Sequence, residues 1–293
     1  MHKKFLPALL LMLAASIAAD IVLITLTGSC PWWIAILKLG LFLVLLLLSV
    51  FVKKMQPYRG LLITFIVILA AQRLFEFLKT IPAFISAFPA GTFAGNFGGT
   101  ILLKLITVVP VAVTLCFVTG SRKSAYLTRG DLRARARKIG WLGIEGEKIT
   151  WARLSVISGL LIALGTILLT FVTTIGVTAA HGILLLIGRL PLILLFAAAN
   201  SACEGIVYRS AILGVLRDSL PKGQTILVSG AFFGIAHYYG VPGGLLGAVM
   251  SGILGWFMAR SMYETDGFLS SWIIHFMQDV VIFSTLSLFG NFA

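Results

Sequence analysis

Hydrophobic residues run along this chain in long unbroken blocks. They show neither the alternation of half-buried strands nor the one-sided periodicity of surface helices. A hydrocarbon core of ~30 Å takes about 20 residues of helix to cross. Blocks of that order fall near 5–28, 32–52, 60–79, 100–119, 154–178, 190–214, 224–240, 243–261 and 268–289. A bilayer offers no partners to unpaired backbone groups, so such blocks must be helical. The pattern predicts an all-α fold, a polytopic transmembrane helical bundle of nine spans, or eight if the first is a cleaved signal. The start, Met1-His2-Lys3-Lys4 before an apolar run, resembles a secretory signal. No persuasive small-residue cleavage site follows, and the apolar character continues past Asp20 to Leu26, so an uncleaved first span is expected.

Composition sharpens the class. Of 293 residues, 59% are hydrophobic and 11% are charged, against about a quarter charged in an average soluble domain. So few charges do not cover a water-soluble surface, which excludes an ordinary cytosolic enzyme and a disordered chain. The net charge of +13 would suggest nucleic acid in a soluble protein. Twelve charges, nine of them basic, fall between residues 121 and 153 without any base-reading module. A solvated loop facing the membrane surface accounts for them better. Membrane lipids are therefore the expected partners, and nucleic acid is not. Cys30, Cys116 and Cys203 share no metal-like spacing and read as packing residues.

The basic residues also sort by side. With the N-terminus inside, Lys3, Lys4, Lys53, Lys54, Arg59, the nine of the 121–153 loop, Arg217, Lys222 and Arg260 share the inner side, 17 in all. Only Lys79 and Arg189 lie outside. The expectation is a cytoplasmic N-terminus, with an N-terminal four-helix membrane region at 1–120, a basic cytoplasmic loop at 121–153 and a second membrane domain at 154–293. Short loops and compact length point to a bacterial plasma membrane. The Gly- and Phe-rich stretch 81–99 carries no charge and reads as interfacial or re-entrant.

Ionisable groups inside apolar spans are costly, so each is a functional candidate. In the first half, Arg73 and Glu76 stand three apart and read as a self-neutralising pair. Lys38 and Lys104 lie near span ends and read as snorkelling side chains. The second half is richer. Glu204 and Arg209 lie in the sixth block and His237 in the seventh, while His275 and Asp279, four apart on one helical face, lie in the ninth. At 1.5 Å per residue their depths are similar, which suggests one cavity open to the inner side. A carboxylate, two imidazoles and a second carboxyl group suit water activation and oxyanion stabilisation. They equally suit a catalytic Zn2+ held by Glu204, His237 and His275. Proton-coupled transporters carry such residues too.

Three short motifs occur in order: Glu204 to Arg209, Phe233 to His237, and His275 to Asp279, with a helix bearing Gly243, Gly244, Gly247, Gly252 and Gly255 between the histidines. They resemble the CPBP family of CAAX prenyl and bacteriocin-processing (Abi-type) intramembrane proteases, whose pattern is Glu-Glu-x-x-x-Arg, Phe-x-x-x-His and His-x-x-x-Asn/Asp. The resemblance covers about residues 140–285. It implies an intramembrane endopeptidase acting on a membrane-associated protein or peptide. In it Glu204 is the general base, His237 its partner on water, and His275 with Asp279 the oxyanion side, Arg209 and Phe233 supporting them. The family has also been described as a metalloprotease. A metal-free, glutamate-type mechanism is expected here, because no two histidines stand four apart. One departure is plain: Gly205 stands where the family has its second Glu. Glu204 is five before Arg209, ~140° round an α-helix, so Arg209 is expected to pair with Glu264, Asp266 or a carbonyl. Gly205 keeps open a non-proteolytic scaffold or immunity protein of the same fold.

Overall fold

The computed structural model describes residues 3–173, 179–240 and 242–289. Met1, His2 and the end of the fifth predicted block, 174–178, lie outside these. Every block carries helix. In chain order these are α1 (Phe5–Ala15), α2 (Ala18–Thr27), α3 (Trp33–Phe51), α4 (Arg59–Leu78), α5 (Pro82–Ala87), α6 (Phe93–Thr119), α7 (Trp151–Thr173), α8 (Ala179–Glu204), α9 (Ala211–Leu216), α10 (Lys222–Ala236), α11 (Gly244–Thr265) and α12 (Leu269–Phe289). A 3-10 turn, Lys53–Tyr58, leads into α4, and a π turn, Gly205–Ser210, joins α8 to α9. No strand occurs among the described residues, and the molecule is an all-α polytopic bundle.

The span count differs from nine. Seven helices among the described residues are long and apolar enough to cross a membrane, with Leu184–Leu216 counted as one continuous run of 33 residues. The first block is a bent pair, α1 and α2 at 54°, which together make at most an eighth span. Ser16 causes the break. Its hydroxyl donates to the Leu13 carbonyl (2.8 Å) and accepts from the Ala18 N–H (3.1 Å), ending one helix and capping the next. The seventh block is α10, only 15 residues. That is about 22 Å of helix, short of a ~30 Å core. The chain turns after His237 because Gly240, Pro242, Gly243 and Gly244 break the helix.

The basic segments do share one end of the bundle. The Tyr58 hydroxyl donates to the Lys4 carbonyl (3.2 Å), and Gly60 lies against Val118 and Val215. The Phe268 N–H donates to the Thr128 carbonyl (2.8 Å). The loop between α6 and α7 is more than a solvated tether. It folds back on itself through Ala136 N–H to Ile149 O (2.9 Å) and buries Tyr126, Ala136, Ile139 and Trp151. Glu264 of α11 anchors it, accepting from the Arg137 N–H (2.9 Å), Trp151 Nε1 (3.1 Å), Lys222 (2.9 Å) and Arg260 (3.0 Å). The basic residues thus form a folded cap. Segment 81–92 folds onto the first turns of α6, with Phe84 and Phe88 against Gly99.

Packing brings the two halves together. In the first half α4 packs between α3 and α6; in the second, α12 packs on α7 and α8, and α10 pairs with α11. The α10–α11 pair is close because Gly230 lies against the Trp256 and Gly252 backbone and Gly255 against the Phe233 ring, the close approach expected of small residues. The halves meet where α6 packs on α8 and α9, α4 on α9, and α1 on α10.

Candidate active site

The sixth predicted span is interrupted by a π turn, and that turn decides how its charges point. In a π turn the hydrogen bond joins residues five apart, so Glu204 and Arg209 lie one turn from each other. The α-helical spacing would have held them ~140° apart. Ser229 of α10 steadies the widened backbone, its hydroxyl donating to the Tyr208 carbonyl (3.0 Å). Gly205 is also accounted for. Phe268, from the α11–α12 turn, fills the space where a second Glu side chain would begin: a Cβ on Gly205 would lie 2.5 Å from its ring.

Arg209 is fully buried, and none of its expected partners reaches it. Glu264 serves the cap, and Asp266 lies with Arg217 and Lys123. Arg209 instead meets His275 Nδ1 at 3.0 Å and stacks on the Phe233 ring at 5.2 Å. A guanidinium only donates, so Nδ1 accepts and the ring hydrogen of His275 is on Nε2. His237 is held the other way. Its Nδ1 donates to the Phe233 carbonyl (2.8 Å), which leaves the lone pair on Nε2. Phe233 thus serves both imidazoles, with its ring 4.2 Å from that of His237 and 5.5 Å, edge-on, from that of His275.

The two Nε2 atoms converge on one oxygen. His237 Nε2 is 3.7 Å, and His275 Nε2 3.6 Å, from Glu204 Oε2. That oxygen is buried and has no hydrogen-bond partner. Asp279 lies with its Oδ1 3.6 Å from His275 Nε2, beyond hydrogen-bond reach. Its other oxygen accepts from Asn200 Nδ2 (3.1 Å). Arg209, and not Asp279, therefore orients His275.

All six residues expected from the sequence come together here. Two more were missed. Lys104 of α6 does not snorkel: its ammonium donates to Glu204 Oε1 (2.7 Å) and Asn200 Oδ1 (2.5 Å). Asn200 stands four residues before Glu204 on α8, and that same-face spacing beside a buried carboxylate is the signal that marks it in the sequence. Lys38 does not snorkel either but pairs with Asp20 (2.6 Å). Arg73 and Glu76 form no ion pair with each other among the described residues. Both line a cavity of about 490 Å³ that runs from Glu204 and Lys104 to Asp20, Cys30 and Lys38. The cavity leads toward the α2–α3 turn, away from the basic cap. An opening toward the basic side was expected, yet none of residues 121–153 lines this cavity. On the capped side a separate apolar groove of about 1130 Å³ lies among Ile206, Phe268 and Trp272, and Glu204 does not line it.

A zinc held by Glu204, His237 and His275 would need a lone pair from each imidazole. His237 has one facing Glu204, whereas His275 presents a hydrogen, and the Lys104 ammonium already lies on the carboxylate. The set as arranged does not fit such a site.

Residues 186–281 match the family model Type II CAAX prenyl endopeptidase Rce1-like. The resemblance carried by the three motifs therefore holds over this stretch, which includes Glu204, Arg209, Phe233, His237, His275 and Asp279. No curated protein and no solved structure matches the chain.

Proposed function

We propose that this protein is a membrane-embedded endopeptidase that cleaves a membrane-associated protein or peptide with water activated by Glu204. One observation carries the reading. Glu204 Oε2, buried and unbonded, faces two imidazole nitrogens of opposite character, one a lone pair and one an N–H. At 3.6–3.7 Å neither nitrogen bonds Oε2 directly, and both lie within reach of a water held on that oxygen.

In this mechanism Glu204 Oε2 takes one proton of the water while His237 Nε2 accepts the other hydrogen and aims the oxygen. The water oxygen bonds to the carbonyl carbon, and the displaced π pair settles on the carbonyl oxygen. His275 Nε2–H donates to that oxyanion, with Arg209 keeping the proton on the correct nitrogen. The C–N bond then breaks, and Glu204 returns its proton to the departing amine. Asp279 lies on the oxyanion side, its Oδ1 3.6 Å from that Nε2 and its Oδ2 holding the Asn200 amide. No step passes through a metal. The family match points to peptides with a prenylated C-terminal CAAX motif as the substrate class, and the positive-inside count supports a cytoplasmic cap.

Cleavage of a quenched, prenylated CAAX peptide by the purified protein in detergent tests this. Glu204→Gln and His237→Ala are expected to lose about 100-fold or more in rate, the usual contribution of a positioned base. Phenanthroline is expected to have no effect. Wild-type rates in both variants would refute the assignment, as would an inert wild-type protein, which a scaffold or a transporter predicts. Stoichiometric zinc that disappears in His237→Ala would overturn the metal-free mechanism.

A further inference from the structure

Lys104 lies in α6, outside residues 186–281, yet it touches the carboxylate at the centre of the site. Its ammonium spans two side chains one turn apart on α8, Glu204 Oε1 (2.7 Å) and Asn200 Oδ1 (2.5 Å). An ammonium only donates, so it sets the direction of everything beyond it. It holds Oε1 of Glu204, which leaves Oε2 as the oxygen turned to the two imidazoles. It also holds the oxygen of the Asn200 amide, which turns Nδ2 to Asp279 Oδ2 (3.1 Å). An Asn amide is assigned by its partners, and here a cation on one side and a carboxylate on the other admit a single orientation.

We propose that Lys104 is a positioning residue of the hydrolytic site, acting through Glu204 and, by way of Asn200, through Asp279. The N-terminal helices are then part of the active site and not merely its membrane anchor. The inference rests on the reading of Glu204 as the base. Geometry favours positioning over simple charge neutralisation. A neutralising cation needs only to be near Glu204, whereas Lys104 divides its donors between two acceptors and thereby fixes both carboxylates relative to His275. The lysine side chain also keeps 31% exposure, facing the cavity that it lines. Small solutes in that cavity can therefore reach it.

The experiment measures kcat and KM for the quenched CAAX peptide with the full chain in detergent, counting only monodisperse protein. Lys104→Ala is expected to lower kcat about 10–100-fold with KM little changed, as a misplaced catalytic group does. Added methylammonium is expected to restore part of the loss, because it can return a donor to the cavity. Asn200→Leu, which keeps Lys104 and its contact with Glu204, is expected to lower kcat by a smaller factor through Asp279. Lys104→Arg is expected to stay impaired, since a planar fork does not reproduce a point donor.

Wild-type kcat in Lys104→Ala, with Glu204→Gln inactive in parallel, would overturn the positioning role and leave Glu204 as the base. Reduced melting temperature with unchanged kcat would do the same and mark Lys104 as structural. An active Glu204→Gln would overturn the base and this inference together. If Lys104→Ala does not fold, Asn200→Leu and Lys104→Arg carry the test, and wild-type kcat in both would overturn it.

Discussion

Adding a single methyl group at Gly205 asks whether Phe268 has taken the place of the missing carboxylate. An ideal Cβ there lies 2.5 Å from Phe268 Cζ, 2.8 Å from Cε2 and 3.0 Å from NH2 of Arg209. Carbon atoms rest at about 3.5–4.0 Å, so the ring must retreat by roughly 1 Å. Its freedom to do so is limited, because the Phe268 N–H is tied to the Thr128 carbonyl at 2.8 Å. Overpacking of this kind costs about 1–3 kcal/mol. Replacing a helical Gly by Ala returns up to about 1 kcal/mol in backbone entropy, so Gly205→Ala should be neutral to about 3 kcal/mol destabilising. In a Phe268→Ala background only the 3.0 Å approach to NH2 of Arg209 remains, so the same substitution should be less costly by the overpacking that the ring imposed. The coupling between the two positions is therefore about 1–3 kcal/mol, well above the few tenths expected of independent sites. Unfolding of the four proteins in detergent, followed by circular dichroism, measures it. Additive effects would show that Phe268 does not hold that space.

Two further outcomes follow from single contacts. Arg209→Leu frees His275 to carry its proton on Nδ1, and kcat for the CAAX peptide should fall about 100- to 1000-fold, the effect of removing one oxyanion donor; Arg209→Lys should not recover it. Unchanged kcat in Arg209→Leu would contradict the assigned tautomer. Glu264→Gln removes a charged acceptor from Lys222, Arg260 and the Arg137 N–H, at a cost of about 1–3 kcal/mol. Amide hydrogens of residues 134–150 should then exchange faster, and equal rates would mean that the cap is held elsewhere.

Much of this molecule was legible in its hydrophobic pattern. Each apolar block carries helix among the described residues, because a chain in lipid has one way to satisfy its backbone. The catalytic candidates were legible for the same reason, since a carboxylate or imidazole inside an apolar block needs an explanation. The errors were errors of partnership. Lys104 and Lys38 were read as snorkelling, yet each found a carboxylate on another helix. Arg73 and Glu76 were paired by spacing, yet both face a cavity. Helical spacing assumed 3.6 residues per turn, and one π turn brought Glu204 and Arg209 round to the same cluster.

The sequence by itself determined that the chain crosses a membrane, that its basic segments gather at one end, and which late-helix ionisable residues are the candidates for a site. Periodicity, charge and the cost of burying ions are properties of a single helix. The tertiary structure alone decided that α10 stops short, that Phe268 occupies the seat left by Gly205, that Arg209 serves His275, and that Lys104 from the first half holds Glu204 of the second. These depend on which helix faces lie together. In a bundle where nearly every face is apolar, the pattern along the chain does not distinguish one neighbour from another.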